Sequence, residues 1–251
     1  MQSQAIQHPP LSNMIDSHID HREQDIRSLQ QHGYAYLPGT RSNFSDFSDW
    51  QRVRHAYSVD QQEDPDPGNR WRSHSRVRVK LDGGLELLPH ATYAQSYEDN
   101  PDAAGKQRRF APIPADIIAG QTFSKLINET VSVGRALYPD IDEAAKIEDL
   151  KVGLHMVRYR PHGKEASFSS PISIHRDTER VVMVAVLGVS QNLGGGENII
   201  SMTGRDIIAI LNMRTLGDSL LLTRKGFHAV MPMYAVDGTA AFRDILLVTI
   251  D

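Results

Sequence analysis

Cysteine is absent from the 251 residues. That removes disulfides, thiolate nucleophiles, iron–sulfur clusters and cysteine-ligated zinc together, so any metal must sit on His, Asp or Glu. A basic excess is missing too. Lys and Arg number 27 against 31 Asp and Glu, a formal charge of −4, which leaves no basic excess to neutralise phosphates and argues against a nucleic-acid partner. The longest strongly apolar run, Val181 to Val189, has about half the length of a membrane span. The first twenty or so residues have neither the basic region nor the apolar stretch of a secretory signal. The expectation is a cytoplasmic protein without membrane contact.

What is present suits a globular chain with a real core, of a length for one large domain or two small ones, and no boundary is sharp enough to divide it. Residues 1–22, rich in Gln, His and Ser without periodicity, read as a poorly ordered arm. Residues 23–251 read as a single domain. Ile26 and Leu29 mark a short amphipathic helix that Gly33 ends, and Tyr34 to Pro38 reads as a strand. Gln61 to Asn69, with two prolines and a glycine, is expected to be an exposed loop. Val77, Val79 and Leu81 alternate with Arg76, Arg78 and Lys80, a half-buried strand whose basic residues form a solvated face.

A long helix is expected from near Asp116 to just before Pro139, with Ala119, Phe123, Leu126, Ile127, Thr130, Gly134 and Leu137 on one stripe. From Lys151 the pattern becomes a series of short strands at 152–159, 172–177, 181–189, 197–201, 206–211, 218–223, 227–233 and 242–250. Gly194-Gly195-Gly196 reads as a hairpin turn, since no GK[ST] follows it. Helices first and strands after argue for the α+β class, with a double-stranded β-helix (jelly-roll, cupin-like) core at about 151–251 and flanking helices.

Within that core, positions i and i+2 of a strand share a face, so His175 and Asp177 can offer an imidazole nitrogen and a carboxylate oxygen to one ion. His228 follows on a later strand. Two histidines and one carboxylate on one face of an octahedral metal leave three positions open, the arrangement of non-heme Fe(II) oxygenases. The HxD triplet alone carries little weight, because His18-Ile19-Asp20 repeats it in the arm. The strand context and the second histidine raise it. Arg243 lies inside the apolar stretch Phe242 to Ile250, where a guanidinium is costly unless it meets an anion, and its planar fork suits a carboxylate.

His175-x-Asp177, His228 and Arg243 on this strand pattern resemble the Fe(II)/2-oxoglutarate-dependent dioxygenases. The C-terminal part is most similar to the bacterial group of isoleucine dioxygenase-like hydroxylases of free L-amino acids and biofilm stress and motility protein A homologues. The similarity rests on Leu154 to Tyr159, Pro171 ahead of the triplet, Gly195 to Asn198, His228 to Pro232 and Arg243 to Thr249, and more weakly on Gln95-Ser96, Asn100 and Arg109-Phe110. The resemblance implies Fe(II) on His175, Asp177 and His228, which would make them the catalytic set. It implies 2-oxoglutarate on Arg243 with Tyr159 and Thr249 as supporting groups, and O2 as co-reactant. A small amino-acid-like substrate would then be hydroxylated with release of succinate and CO2.

The sequence departs from the family around the metal histidine. Pro171-Ile172-Ser173-Ile174 stands where Pro-Glu-Gly is common, and Thr178 where Gly is. Tyr159 shares strand parity with Gly153, His155 and Val157, whereas Arg158 has the opposite parity and reaches a carboxylate only if a bulge intervenes. His155 reads as a satisfied sheet histidine. For the substrate's polar groups the candidates are Gln95, Asn100, Arg109 and Arg158, with Tyr93, Tyr97 and Arg108 nearby. Two other readings stay open at this point: an oxoglutarate-independent cupin-like metalloenzyme, and a non-catalytic stress-related binding protein. A homodimer is the commonest association for such a chain.

Overall fold

A computed structural model describes residues 21–41, 44–80, 84–90, 92–94, 97, 105–141 and 150–251. The expected arm lies almost wholly outside the described residues. The first helix, α1 (His21–His32), ends where Gly33 takes φ +77° and donates its N–H to the Leu29 carbonyl. After it come β1 (Tyr34–Leu37), α2 (Trp50–Val59), β2 (Gln62–Glu63), β3 (Arg70–Val79), β4 (Leu85–Leu87), α3 (Ala115–Ile118) and α4 (Gln121–Leu137). The strand-rich half follows: β5 (Leu150–Tyr159), β6 (Val181–Val189), β7 (Leu193–Gly195), β8 (Asn198–Ser201), β9 (Ile207–Leu211), β10 (Ser219–Thr223), β11 (Phe227–Val230), β12 (Met233–Ala235) and β13 (Arg243–Ile250).

The large sheet runs β1-β10-β6-β13-β5-β3-β2, with β4 paired to β3, every pair antiparallel. Two smaller sheets, β11-β8-β9 and β12-β7, complete the jelly roll of an α+β chain. Strand alternation sorts the side chains into two compartments. Val181, Met183, Ala185, Leu246, Val248 and Ile250 point outward and are buried beneath α2 and α4 in the largest core cluster. Val157, Val182, Val186 and Ile245 point inward, toward the small sheets. Burying a Val, Leu or Ile side chain stabilises by about 1.5–3 kcal/mol, so this alternation fixes the register.

The structure departs from the sequence expectations at five places. The single long helix is two, α3 and α4, because Gly120 is extended (ψ 163°). Asp49 accepts from the Thr122 N–H (3.1 Å) and the Thr122 hydroxyl (2.8 Å), capping α4 from outside, and a Cβ on Gly120 would collide with that carboxylate. Residues 172–177 form no strand. Ile172 is 55% exposed, so its alternation with Ile174 finds no surface to bury it, and only an isolated bridge at His175 survives. Residues 227–233 break into β11 and β12 because Pro232 brings no N–H to a ladder.

Gly194-Gly195-Gly196 is not a hairpin turn. Leu193–Gly195 is a strand that pairs with β12, where the Gly195 backbone passes too close to the Pro232 carbonyl for any Cβ. The loop at 61–69 is only partly exposed. Asp64 and Asp66 are buried because Arg70 and Arg108 pair with them at 2.7 and 2.6 Å.

Candidate functional site

His175 and His228 form a cross-strand pair, each backbone N–H donating to the other's carbonyl at 2.9 and 2.7 Å. That exchange sets their rings 4.3 Å apart by centroid. Asp177, two residues on, brings one carboxylate oxygen to 3.6 Å from His175 Nε2 and the other to 3.7 Å from His228 Nε2. These separations are too long for hydrogen bonds. They suit three donors sharing one ion, and all the donor atoms lie within 4.8 Å of one another.

His175 Nδ1 lies 2.9 Å from the Ser173 carbonyl. A carbonyl only accepts, so Nδ1 carries the proton and Nε2 keeps its lone pair for a metal. Burial pushes His228 down to about 4 despite the nearby carboxylate, so it is a neutral donor at neutral pH. At Asp177 burial opposes ionisation, but the two imidazoles outweigh it and hold the carboxyl below its ordinary value. For His175 burial again acts downward, yet the Asp177 carboxylate raises it on balance, so a metal competes with a proton there. The donor set therefore fits a divalent cation.

The cavity in front of these donors is walled by inward residues of β5, β6 and β13: Val157, Val182, Val184, Ile245 and Leu247, with Tyr159 and Thr249 as polar members. Arg243 pairs with Tyr159 in the β13–β5 register, one step beyond Ile245. It is 3% exposed, its Nη1 donates to the Gly196 carbonyl at 2.7 Å, and its Nε has no partner among the described residues. A buried guanidinium with an unsatisfied N–H is what the carboxylate of a dicarboxylic co-substrate would complete.

The expected substrate residues fare differently. Gln95 and Asn100 lie outside the described residues. Arg109 is exposed and takes part in a hydrogen bond through its backbone carbonyl, which accepts from Gln62 at 2.6 Å. Arg158 is corrected: no bulge turns it inward on β5, and it forks onto Asp244 at 2.6 and 2.7 Å on the outer face. Tyr97 is 74% exposed, and Arg108 is tied to Asp66. Tyr93 does line the cavity.

Three residues that sequence reasoning passed over stand in or against that wall, all from β3: Arg70, Arg72 and His74. In the β3–β5 register they face Tyr159, Val157 and His155. His155 is the satisfied sheet histidine it was expected to be. Its Nδ1 accepts from Arg72 Nη2 at 2.9 Å, and its ring stacks on His74 at 4.4 Å. The available signal is the basic residue at every second position from 70 to 80, of which 70, 72 and 74 are buried and 76 and 80 exposed.

Comparison with known proteins agrees with this geometry. A family model described as 2OG-Fe dioxygenase matches residues 55–249. The chain is 30% identical over 232 residues to a 3(1)-hydroxy-L-isoleucine 4-dioxygenase of Pantoea ananatis (strain AJ13355), covering 88% of this chain and 92% of the relative. It is 35% identical over 181 residues to an L-isoleucine-4-hydroxylase of Bacillus thuringiensis, covering 72% of this chain and 74% of the relative. Among solved structures it is similar to IDO from Bacillus thuringiensis, with TM-score 0.77 and 27% identity over 92% of this chain and 98% of that one. A bsmA homolog from Methylobium petroleophilum PM1 shares the fold at TM-score 0.76 and 21% identity, over 91% and 92% of the two chains.

Proposed function

Because the chain belongs to the 2OG-Fe dioxygenases, we propose that it hydroxylates a free aliphatic L-amino acid, with Fe(II) on His175, Asp177 and His228 and 2-oxoglutarate on Arg243, Tyr159 and Thr249. The carrying observation is the aliphatic wall of Val157, Val182, Val184, Ile245 and Leu247 beside the three donors, with guanidinium groups beyond it. It suits a molecule with a hydrocarbon part and a charged end. The two curated relatives, named for L-isoleucine and 3(1)-hydroxy-L-isoleucine, fit that description.

When bound, iron and 2-oxoglutarate supply the oxidising power: one oxygen atom of O2 leaves in succinate, the other is added to the substrate carbon, and CO2 is released. The chain's own work is placement. The His175–His228 backbone exchange holds two donors on one side, and Asp177 supplies the negative charge that favours a divalent ion there. Arg243, buried and anchored on Gly196, orients the co-substrate's far carboxylate, while the valine and leucine wall keeps water from the reacting carbon. An oxoglutarate-independent metalloenzyme would leave Arg243 without an anion. A non-catalytic binding protein would have no physical need of the three converging donors.

The test is incubation with Fe(II), 2-oxoglutarate and a panel of free L-amino acids in air, reading succinate and the amino-acid product by mass. One amino acid is expected to gain one oxygen atom in step with succinate, and His228→Ala to yield neither. Succinate formation that no amino acid stimulates would overturn the substrate class, and turnover surviving in the His228→Ala protein would overturn the metal assignment.

A further inference from the structure

Two guanidinium groups, Arg70 and Arg72, line the cavity together with the carboxylates Asp177 and Glu179. Asp177 would answer part of the charge of a bound divalent ion, and Arg243 would answer a carboxylate of the co-substrate. Arg70 has its own partner, because Nε donates to Asp64 at 2.7 Å with both side chains almost fully buried. Arg72 is left over. The Asp64 carboxylate lies 3.8 Å from its Nη1 and is already engaged by Arg70. Its other hydrogen-bond and ring contacts are neutral: the Tyr93 and Phe110 rings at 5.1 and 4.9 Å, and the Nδ1 of His155. Burial, with Arg72 beside it, holds His155 well below its ordinary value. It therefore accepts from the guanidinium as a neutral ring.

We propose that Arg72 is the specificity-determining residue that receives the α-carboxylate of the amino-acid substrate. This rests on the reading in the preceding subsection and names the residue it lacks. The fork is available: His155 accepts from Nη2, whose second N–H and the Nε–H, without a partner among the described residues, form the side-on edge that takes a carboxylate bidentately. Position separates it from the co-substrate anchor. Arg72 is on β3 and Arg243 on β13, with β5 between them, so their backbones lie two strand spacings apart across the sheet and two residues apart along it, about 12 Å. Two anchors so placed hold two molecules, with Val157 between them and Ile245 and Leu247 further along β13 for the substrate's hydrocarbon part.

The test uses full-length protein loaded anaerobically with Fe(II) and 2-oxoglutarate, comparing wild type with Arg72→Gln and Arg72→Lys. Three readouts are taken: the visible charge-transfer band of the iron–oxoglutarate chelate, the thermal melt, and calorimetric binding of L-isoleucine, L-leucine, L-valine and their carboxamides. Wild type is expected to bind an acid and to discriminate against its amide. The Gln variant should keep the band, bind the acid about 100-fold more weakly and lose the discrimination. The Lys variant should recover part of it.

A band lost in the Gln variant while its melt is unchanged would overturn the proposal, since Arg72 would then serve the co-substrate. So would discrimination that persists in that variant, or wild-type protein that forms the band yet binds acids no better than amides or not at all. A variant that does not melt cooperatively hands the decision to the Lys variant, judged by the same acid–amide ratio. Absence of the band in wild type would strike at the iron-and-oxoglutarate reading, and is thereby told apart from failure at Arg72.

Discussion

Arg158 and Asp244 stand directly opposite each other on β5 and β13 and are joined by two parallel bonds of 2.6 and 2.7 Å. The next residue of one strand and the preceding residue of the other, Tyr159 and Arg243, form the inward pair, of which Tyr159 lines the cavity. The outer pair therefore clamps the backbone that aims the inner one, and Arg158 also reaches Ser58 of α2 at 2.9 Å. Arg158→Ala leaves a largely buried carboxylate alone and is expected to lower stability by about 2–3 kcal/mol. Chemical denaturation measures this, and the iron–oxoglutarate band should persist. A variant as stable as wild type would show the clamp to be idle.

Arg243 tests the co-substrate anchor. Arg243→Ala removes a charge-assisted pair and should raise the half-saturating 2-oxoglutarate concentration about 100-fold while leaving iron affinity in place. Equilibrium dialysis of the metal and titration of the chelate band separate the two effects. Loss of iron without a shift in oxoglutarate demand would contradict the assignment.

Stability should depend on pH through β3. Burial, with Arg72 and Arg76 beside it, pushes His74 down to about 3, whereas an unfolded histidine titrates near 6.5. Between those values the unfolded chain holds a proton that the folded one excludes. Stability is therefore highest above the unfolded value and falls as the pH drops toward the folded one. Urea titrations at pH values between about 4 and 8 should show His74→Gln flattening this slope by about 1.4 kcal/mol per pH unit at its steepest. Parallel slopes for the two proteins would remove His74 from the account.

Gly134 lets α4 lie close on the sheet. A Cβ there would sit 2.9 Å from the Ile250 Cδ1 and 3.2 Å from the Ile141 Cδ1. Gly134→Val is expected to cost about 1–3 kcal/mol by overpacking, read by thermal or chemical denaturation, without changing the chelate band. A stabilised variant would mean that the two isoleucines can move aside.

The strand-rich half was legible because it carries period-2 alternation and apolar runs, and Val181–Val189 is both the run seen in the sequence and the strand in the structure. The three candidate donors come together for a different reason: i, i+2 spacing and a distant second histidine survive even though 172–177 forms no strand. The rest depended on partners far along the chain. Asp64 and Asp66 look like loop acids until Arg70 and Arg108 are seen to bury them. Arg72 looks like one more solvated base, because no local pattern separates a guanidinium facing a cavity from one facing water. The Asp49 cap of α4 acts across 73 positions, beyond any reading of the helix's own termini.

The order of strands in the large sheet has a consequence for how the chain reaches this state. β13 lies between β5 and β6, both of which precede it in the sequence, so the two earlier strands present facing unpaired edges until the later one slots between them. Ribosomal synthesis delivers β13 long after β5, and the sheet's middle closes by insertion rather than by zipping outward from a hairpin. Such a route has a high contact order and is slow, with sticky β-edges exposed in the interval. Yield in a heterologous host should therefore respond to temperature and chaperone supply more than to substitutions at the iron site.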